Sequence, residues 1–131
     1  MTLHIQNPQL LPKVRSASLL AACSPTFMPC TLRIASMVPG WKCSSDDTVV
    51  PCHIDRTLGK GMGTKVSDLF VACGCNHCHA IIDGRDQISV KWLQQNAPTA
   101  FMERCLRGMA ETQARWVELG LLTGKDWEIV K

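Results

Sequence analysis

Eight cysteines stand in a chain of 131 residues, at 23, 30, 43, 52, 73, 75, 78 and 105. Such a density admits two kinds of fold: a secreted scaffold stapled by disulfides, or a reduced domain stapled by metal. An export signal is needed for the first. Leu20-Ala21-Ala22-Cys23, after Lys13 and Arg15, has the look of a lipoprotein cleavage site. Its apolar stretch is only about six residues, against the roughly 7–15 of a signal core. Pro8, Pro12, Gln6 and Gln9 also interrupt the place of a basic leader. The expectation is therefore a cytoplasmic chain with reduced thiols, in which closely spaced cysteines bind metal.

Cys75-Asn76-His77-Cys78 is a C-x-x-C knuckle, which aims two thiolates at one ion from a tight turn. A tetrahedral structural zinc needs two more ligands, and Cys30 and Cys43 are the upstream candidates. Cys73, in C-x-C spacing from Cys75, is a less usual chelate. Cys23 and Cys105 suit buried packing as small hydrophobes. Cys75-x-x-Cys78-His79 also fits a c-type haem attachment motif. That use needs periplasmic assembly, and it leaves the upstream cysteines idle.

The staple organises the rest of the chain. Residues 1–12 read as an irregular tail and 13–131 as one domain. Lys13 to Ala22 is helix-forming, stopped by Ser24-Pro25 and Met28-Pro29. Cys30 to Cys43 is loop text with a Pro39-Gly40 turn. Two β-prone runs, Thr48 to Ile54 and Asp68 to Cys73, flank a glycine-rich loop from Gly59 to Lys65. A short helix over Asn76 to Asp83 is closed by Gly84. Another turn or two of helix is expected over Ile88 to Gln95. Pro98 then opens the longest helix, whose Phe101, Cys105, Met109, Thr112 and Trp116 recur at three- to four-residue spacing, and Gly120 or Gly124 ends it.

Hydrophobic residues at 46% against charged residues at 19% favour a folded chain over a disordered one. No apolar run reaches the roughly 18–20 residues of a membrane span. A net charge of +3 permits a nucleic-acid partner without the charge density of a histone-like binder.

Three histidines, His53, His77 and His79, then matter. His79 and Asp83 are four residues apart on the short helix, so imidazole and carboxylate share one face and can chelate one ion. His53 sits on the first β-prone run, with Pro51 before it and the glycine loop after it. Imidazole is the side chain suited to exchanging protons near neutral pH. A base on a strand opposite a metal on a helix is a workable arrangement for phosphodiester hydrolysis.

The residues from about Cys30 to Gly120 resemble the YbcO type of small phage and prophage nucleases, a family related to the HNH endonucleases. The matching text is Cys30-Thr31-Leu32-Arg33-Ile34, Cys43, and Val50-x-Cys52-His53-Ile54. It continues with Gly61-x-Gly63-Thr64-Lys65-x-x-Asp68-Leu69, Ala72-Cys73-x-Cys75-x-x-Cys78-His79 and Ile82-Asp83-Gly84-Arg85. Gly108-Met109-Ala110-x-Thr112-Gln113-x-x-Trp116 completes it in the last helix.

The resemblance implies an α+β fold. Its centre is a small zinc-stapled ββα-metal core of HNH type over about 30–86, with additional N- and C-terminal helices, the latter over about 88–122. It implies a DNA endonuclease of phage DNA recombination or processing, with His53 as general base. His79 and Asp83 would hold the catalytic Mg²⁺ or Mn²⁺, and Cys30, Cys43, Cys75 and Cys78 the structural Zn²⁺. Two positions depart from the HNH pattern. Cys52 stands where many relatives place an Asp or His ligand, and it is expected to face away from His53. Asp68 stands at the second-strand start in place of Asn, and either ligates the metal or orients His53. Lys65 is a candidate catalytic residue with His53 and Asp68, and it joins Arg56, Lys60 and Arg85 as candidate phosphate-backbone contacts, with Lys13, Arg15 and Arg33 extending the basic surface. Trp41 is expected to pack over the knuckle rather than stack on a base. A zinc-stabilised DNA-binding module without catalysis is the alternative.

Overall fold

The computed structural model describes residues 13–54 and 66–130. At its centre β2 (Val50–His53) pairs antiparallel with β3 (Val71–Gly74), setting Cys52 opposite Ala72 and His53 opposite Val71. Side chains alternate faces along a strand. Cys52 accordingly points into the core while His53 is part-exposed, as expected. β3 is buried along its whole length, between β2 and the longest helix. The sheet tolerates no bulk at its end: a Cβ on Gly74 would lie 2.7 Å from the Cys52 sulfur.

One residue after β3 the chain enters α2 (Asn76–Ile82), which packs on both strands. Cys75 caps it, its sulfur accepting the Cys78 backbone N–H, and Gly84 follows with a positive φ of 83°. α3 (Gln87–Asn96) is longer than the turn or two expected, because the Asp86 carboxylate caps it by accepting the Ser89 N–H. α4 (Pro98–Glu118) opens on Pro98 and stops before Gly120, whose φ is 70°. Its inward face is the predicted one, with Cys105, Thr112 and Trp116 buried and Phe101 and Met109 partly so.

Gly108 lets α4 sit close on the sheet, since a Cβ there would be 3.1 Å from the Thr31 carbonyl oxygen and 3.3 Å from the Ala72 Cβ. One turn on, the Thr112 hydroxyl is 3.0 Å from that of Thr31 and accepts the Cys73 N–H at 3.3 Å. The fully buried Trp116 donates its indole N–H to the Leu19 carbonyl at 3.2 Å. α4 thereby clamps the beginning of the described chain onto the strands.

Two expectations are corrected. Lys13 to Ala22 is not one helix: Lys13–Arg15 is a strand, β1, and only Ala17–Ala21 forms α1. β1 pairs antiparallel with β4 (Glu128–Val130), Val14 opposite Ile129. That partner lies at the far end of the chain, and its pairing overrides local helix preference. The second β-prone run also begins late, at Val71, because Asp68 to Phe70 form a turn. The Asp68 N–H donates to the Val14 carbonyl at 2.8 Å and its carboxylate accepts the Ser16 N–H, so the run is drawn toward β1.

The described residues form a small α+β fold of two short two-stranded sheets and four helices. Among the described residues, no helix is long and apolar enough to cross a membrane. The glycine-rich loop, with Arg56, Lys60 and Lys65, lies outside the described residues, as does the tail at 1–12.

Candidate functional site

The sulfurs of Cys30, Cys43, Cys75 and Cys78 lie within 4.8 Å of one another. Among the described residues they are the one group of three or more metal-type side chains so gathered. Cys75 and Cys78 come from the first turn of α2, and Cys30 and Cys43 from loops either side of a short 3₁₀ turn at Ala35–Met37. Sulfur separations of 3.7 Å (Cys30 to Cys78) and 3.6 Å (Cys43 to Cys78) are far beyond the roughly 2.05 Å of a disulfide. They match the edge of a tetrahedron built on zinc–sulfur bonds of about 2.3 Å, which is about 3.8 Å.

Donors surround these sulfurs as thiolates require. The backbone N–H groups of Arg33 and Cys75 point at Cys30, that of Ala35 at Cys78, and those of Ser44 and Cys78 at Cys75. The Ser36 hydroxyl donates to Cys43. Arg33 achieves its contact with a left-handed backbone, φ 50°, among the described residues the one non-glycine position with positive φ. The hydrogen bond from Cys78, helped by these N–H groups, pulls the Cys30 thiol down to about 5. Cys78 is pushed up by the same contact and by burial, and Cys75 by burial. Thiols so crowded share too few negative charges by themselves, and a divalent cation lets all four ionise. The cluster could hold a metal ion such as zinc. Cys73, the competing sulfur, turns instead toward the Met28 thioether in the core.

His77, between the two knuckle cysteines, is held at both ring nitrogens. Nδ1 is 3.0 Å from the Lys42 carbonyl oxygen, and Nε2 is 3.1 Å from Asp86 Oδ2. The Ser89 hydroxyl and N–H, and then His77, keep the Asp86 carboxyl below its usual range. Trp41 meets the His77 ring edge-on, with centroids 4.8 Å apart at 71°.

On the strand pair, His53 Nε2 lies 2.8 Å from Asp68 Oδ1. Asp68 is only 3% exposed, and its second oxygen accepts the Ser16 N–H at 2.8 Å. The Arg15 guanidinium stands 3.7 Å from Oδ1 while donating to the Val66 carbonyl at 2.9 Å. Sequence reasoning passed over Ser16, whose hydroxyl also donates to Asp126, a residue that accepts the Ser18 N–H in turn. No spacing rule links positions so far apart in the chain.

On α2, His79 Nε2 is 3.8 Å from Asp83 Oδ2, with both side chains about one-third exposed. Arg85 is engaged with the same pair: its Nε donates to Asp83 Oδ2 at 2.7 Å, and Nη2 is 3.3 Å from His79 Nδ1. Arg33, expected to extend the basic surface, is instead paired with Glu111 at 2.7 Å. The structure thus draws together the four cysteines, His53 with Asp68, and His79 with Asp83 and Arg85.

A family model described as "Putative nuclease YbcO" matches residues 27–121. Over 86 residues, 65% of this chain and 81% of the relative, the sequence is 33% identical to "Putative nuclease YbcO" of Escherichia coli (strain K12). The same figures hold for "Putative nuclease ybcO" of Enterobacteria phage 82. The fold is similar to a solved structure described as a putative bacteriophage protein from Escherichia coli K-12, with a TM-score of 0.50 and 27% identity, covering 79% of this chain and 99% of that one. The matched region contains all four clustered cysteines, His53, Asp68, His79 and Asp83, and the chain belongs to the family described as "Putative nuclease YbcO".

Proposed function

We propose that this chain is a metal-dependent endonuclease that hydrolyses phosphodiester bonds in DNA, on an HNH-like ββα core of β2, β3 and α2. The family to which it belongs is described as "Putative nuclease YbcO", which supports this reading. The observation that carries the reading is the 2.8 Å contact between the part-exposed His53 and the buried Asp68, on the strand pair against which α2 packs.

Asp68 is an orienting residue in this reading rather than a metal ligand, since both its oxygens already accept hydrogen bonds and it is buried. Accepting from Nε2–H fixes the tautomer and makes Nδ1 the basic nitrogen. His53 Nδ1 takes the proton from a water as its oxygen bonds to phosphorus. The phosphorus–oxygen bond to the sugar then breaks, and the departing oxygen is protonated from solvent. His79 and Asp83 are the residues that would hold Mg²⁺ or Mn²⁺, and such an ion polarises the phosphate and steadies the departing charge. The carboxylate suits either ion while the imidazole is a softer ligand, and the largely exposed Arg85 would swing from Asp83 toward a substrate phosphate. Lys65, Arg56 and Lys60 would add backbone contacts from the glycine-rich loop. Cys30, Cys43, Cys75 and Cys78 would hold a structural zinc that fixes the start of α2.

Nicking of supercoiled plasmid with added Mg²⁺ or Mn²⁺ tests the reading. Wild type should cut and His53→Ala should lose about 10²–10⁴-fold in rate. Wild type that binds DNA but cuts no form of it would identify a zinc-stabilised binding module instead.

A further inference from the structure

Trp41 is 47% exposed, although tryptophan is among the most costly side chains to leave in water. It is also firmly mounted. Its N–H bonds the Val38 carbonyl across the Pro39-Gly40 turn, where Gly40 supplies a φ of 81°. Its ring stands steeply inclined to that of His77, centroids 4.8 Å apart, and His77 is itself pinned by Lys42 and Asp86. Two residues on, Cys43 enters the sulfur cluster. At 47% exposure about half of the residue remains open to solvent beyond the His77 contact, and the exposed Lys42 lies next in sequence. A firmly mounted, half-exposed aromatic ring is what an unpaired base requires for stacking.

We propose that Trp41 is a stacking platform for an unpaired base, so that the DNA engaged by this chain is single-stranded at that point. A base within an intact duplex has both faces covered by its neighbours and offers none to the indole. The proposal rests on the nuclease reading for the identity of the polymer and goes beyond it in naming the strand state. His77 and His79 are two residues apart on α2, about 200° around the helix. Trp41 therefore holds a base on the other side of α2 from the His79–Asp83 pair, away from the scissile phosphate. It anchors the strand and takes no part in the chemistry.

The test uses the full zinc-loaded chain without added Mg²⁺ or Mn²⁺, and measures fluorescence anisotropy of a labelled oligothymidylate and of a blunt duplex of equal length. Trp41→Ala should weaken oligothymidylate binding by about five- to a hundredfold, leave duplex binding unchanged and retain zinc. Trp41→Phe should keep most of the affinity. Equal loss on both ligands, or no loss on the single strand, overturns the proposal. Should Trp41→Ala shed its zinc, unaltered protein photocrosslinked to 5-bromodeoxyuridine oligonucleotide decides: an adduct at Trp41 supports stacking, and adducts elsewhere or none overturn it. No arm depends on cleavage. A chain that binds through Trp41 but never nicks loses the nuclease reading and keeps this one, and a chain that nicks but binds equally without Trp41 does the reverse.

Discussion

Asp68 joins His53 to the beginning of the described chain: one carboxylate oxygen lies 2.8 Å from His53 Nε2 and the other accepts the Ser16 N–H at 2.8 Å. Neither contact is dispensable to a buried carboxylate, because each leaves a polar group unpaired if broken. Asp68→Asn keeps the shape but has one accepting oxygen for two donors. It should lower the nicking rate about tenfold or more and cost about 1–3 kcal/mol of stability. His53→Ala should lose about 10²–10⁴-fold in turnover and, by leaving one Asp68 oxygen without its partner, cost a similar amount, about 1–3 kcal/mol, while still folding. Plasmid nicking beside urea unfolding checks both. A turnover loss in His53→Ala no larger than its loss of folded protein would make His53 a structural residue.

Metal removal should act on the fold rather than on one side chain. Cys78 touches both Cys30 and Cys43, and Cys75 caps the helix that carries His77 and His79. Purified, thiol-reduced protein should carry one zinc per chain. A strong chelator, or Cys78→Ser, should lower the melting temperature and remove helical circular dichroism. Cys105→Ala, a buried thiol outside the cluster, should keep its zinc and lose about 1–2 kcal/mol for the vacated volume. Atomic absorption on the two variants separates the cases.

The parts of the fold legible in the sequence are those built from neighbours in the chain. The C-x-x-C knuckle, the Gly84 stop, the Pro98 start and the Trp116 stripe are each decided within a few residues. The Ser16 hub was illegible for the opposite reason. Ser16 receives Asp68 from 52 residues away and Asp126 from 110. Nothing at Lys13–Arg15 announces a strand whose partner lies at Glu128–Val130. Arg33 was misplaced by the same blindness: its charge is visible in the sequence, and its partner Glu111 is not.

Gly108 shows why the last-helix motif that carried the family resemblance reads structurally. Its missing Cβ admits the Thr31 carbonyl, Thr112 bonds Thr31 and the Cys73 N–H, Gln113 donates to the Leu69 carbonyl, and Trp116 to that of Leu19. Alanine at 108 would gain about 1 kcal/mol of helix propensity. Crowding backbone at 3.1 Å costs about 1–3 kcal/mol. Gly108→Ala should therefore be neutral to destabilising by about 2 kcal/mol, against the stabilisation seen for an exposed mid-helix glycine. Chemical denaturation of the zinc-loaded variant measures it.

Arg85 and a divalent cation compete for one carboxylate. The guanidinium is 2.7 Å from Asp83 Oδ2 and its side chain is 58% exposed, so the ion pair is weak and readily exchanged. Arg85→Ala should lower the Mn²⁺ concentration needed for half-maximal nicking, because the cation no longer displaces a resident charge. The same change should weaken DNA binding and reduce the salt slope by about 1, because one phosphate contact is lost. Asp83→Asn should do the contrary, raising the Mn²⁺ requirement while leaving binding to DNA in the absence of divalent ions at least as strong. A metal titration of nicking, paired with binding at several salt concentrations, reads both effects. Opposite movement of metal and DNA requirements in Arg85→Ala marks a residue that gives up Asp83 to take a phosphate, whereas a parallel loss of both would reduce Arg85 to a support for the end of α2.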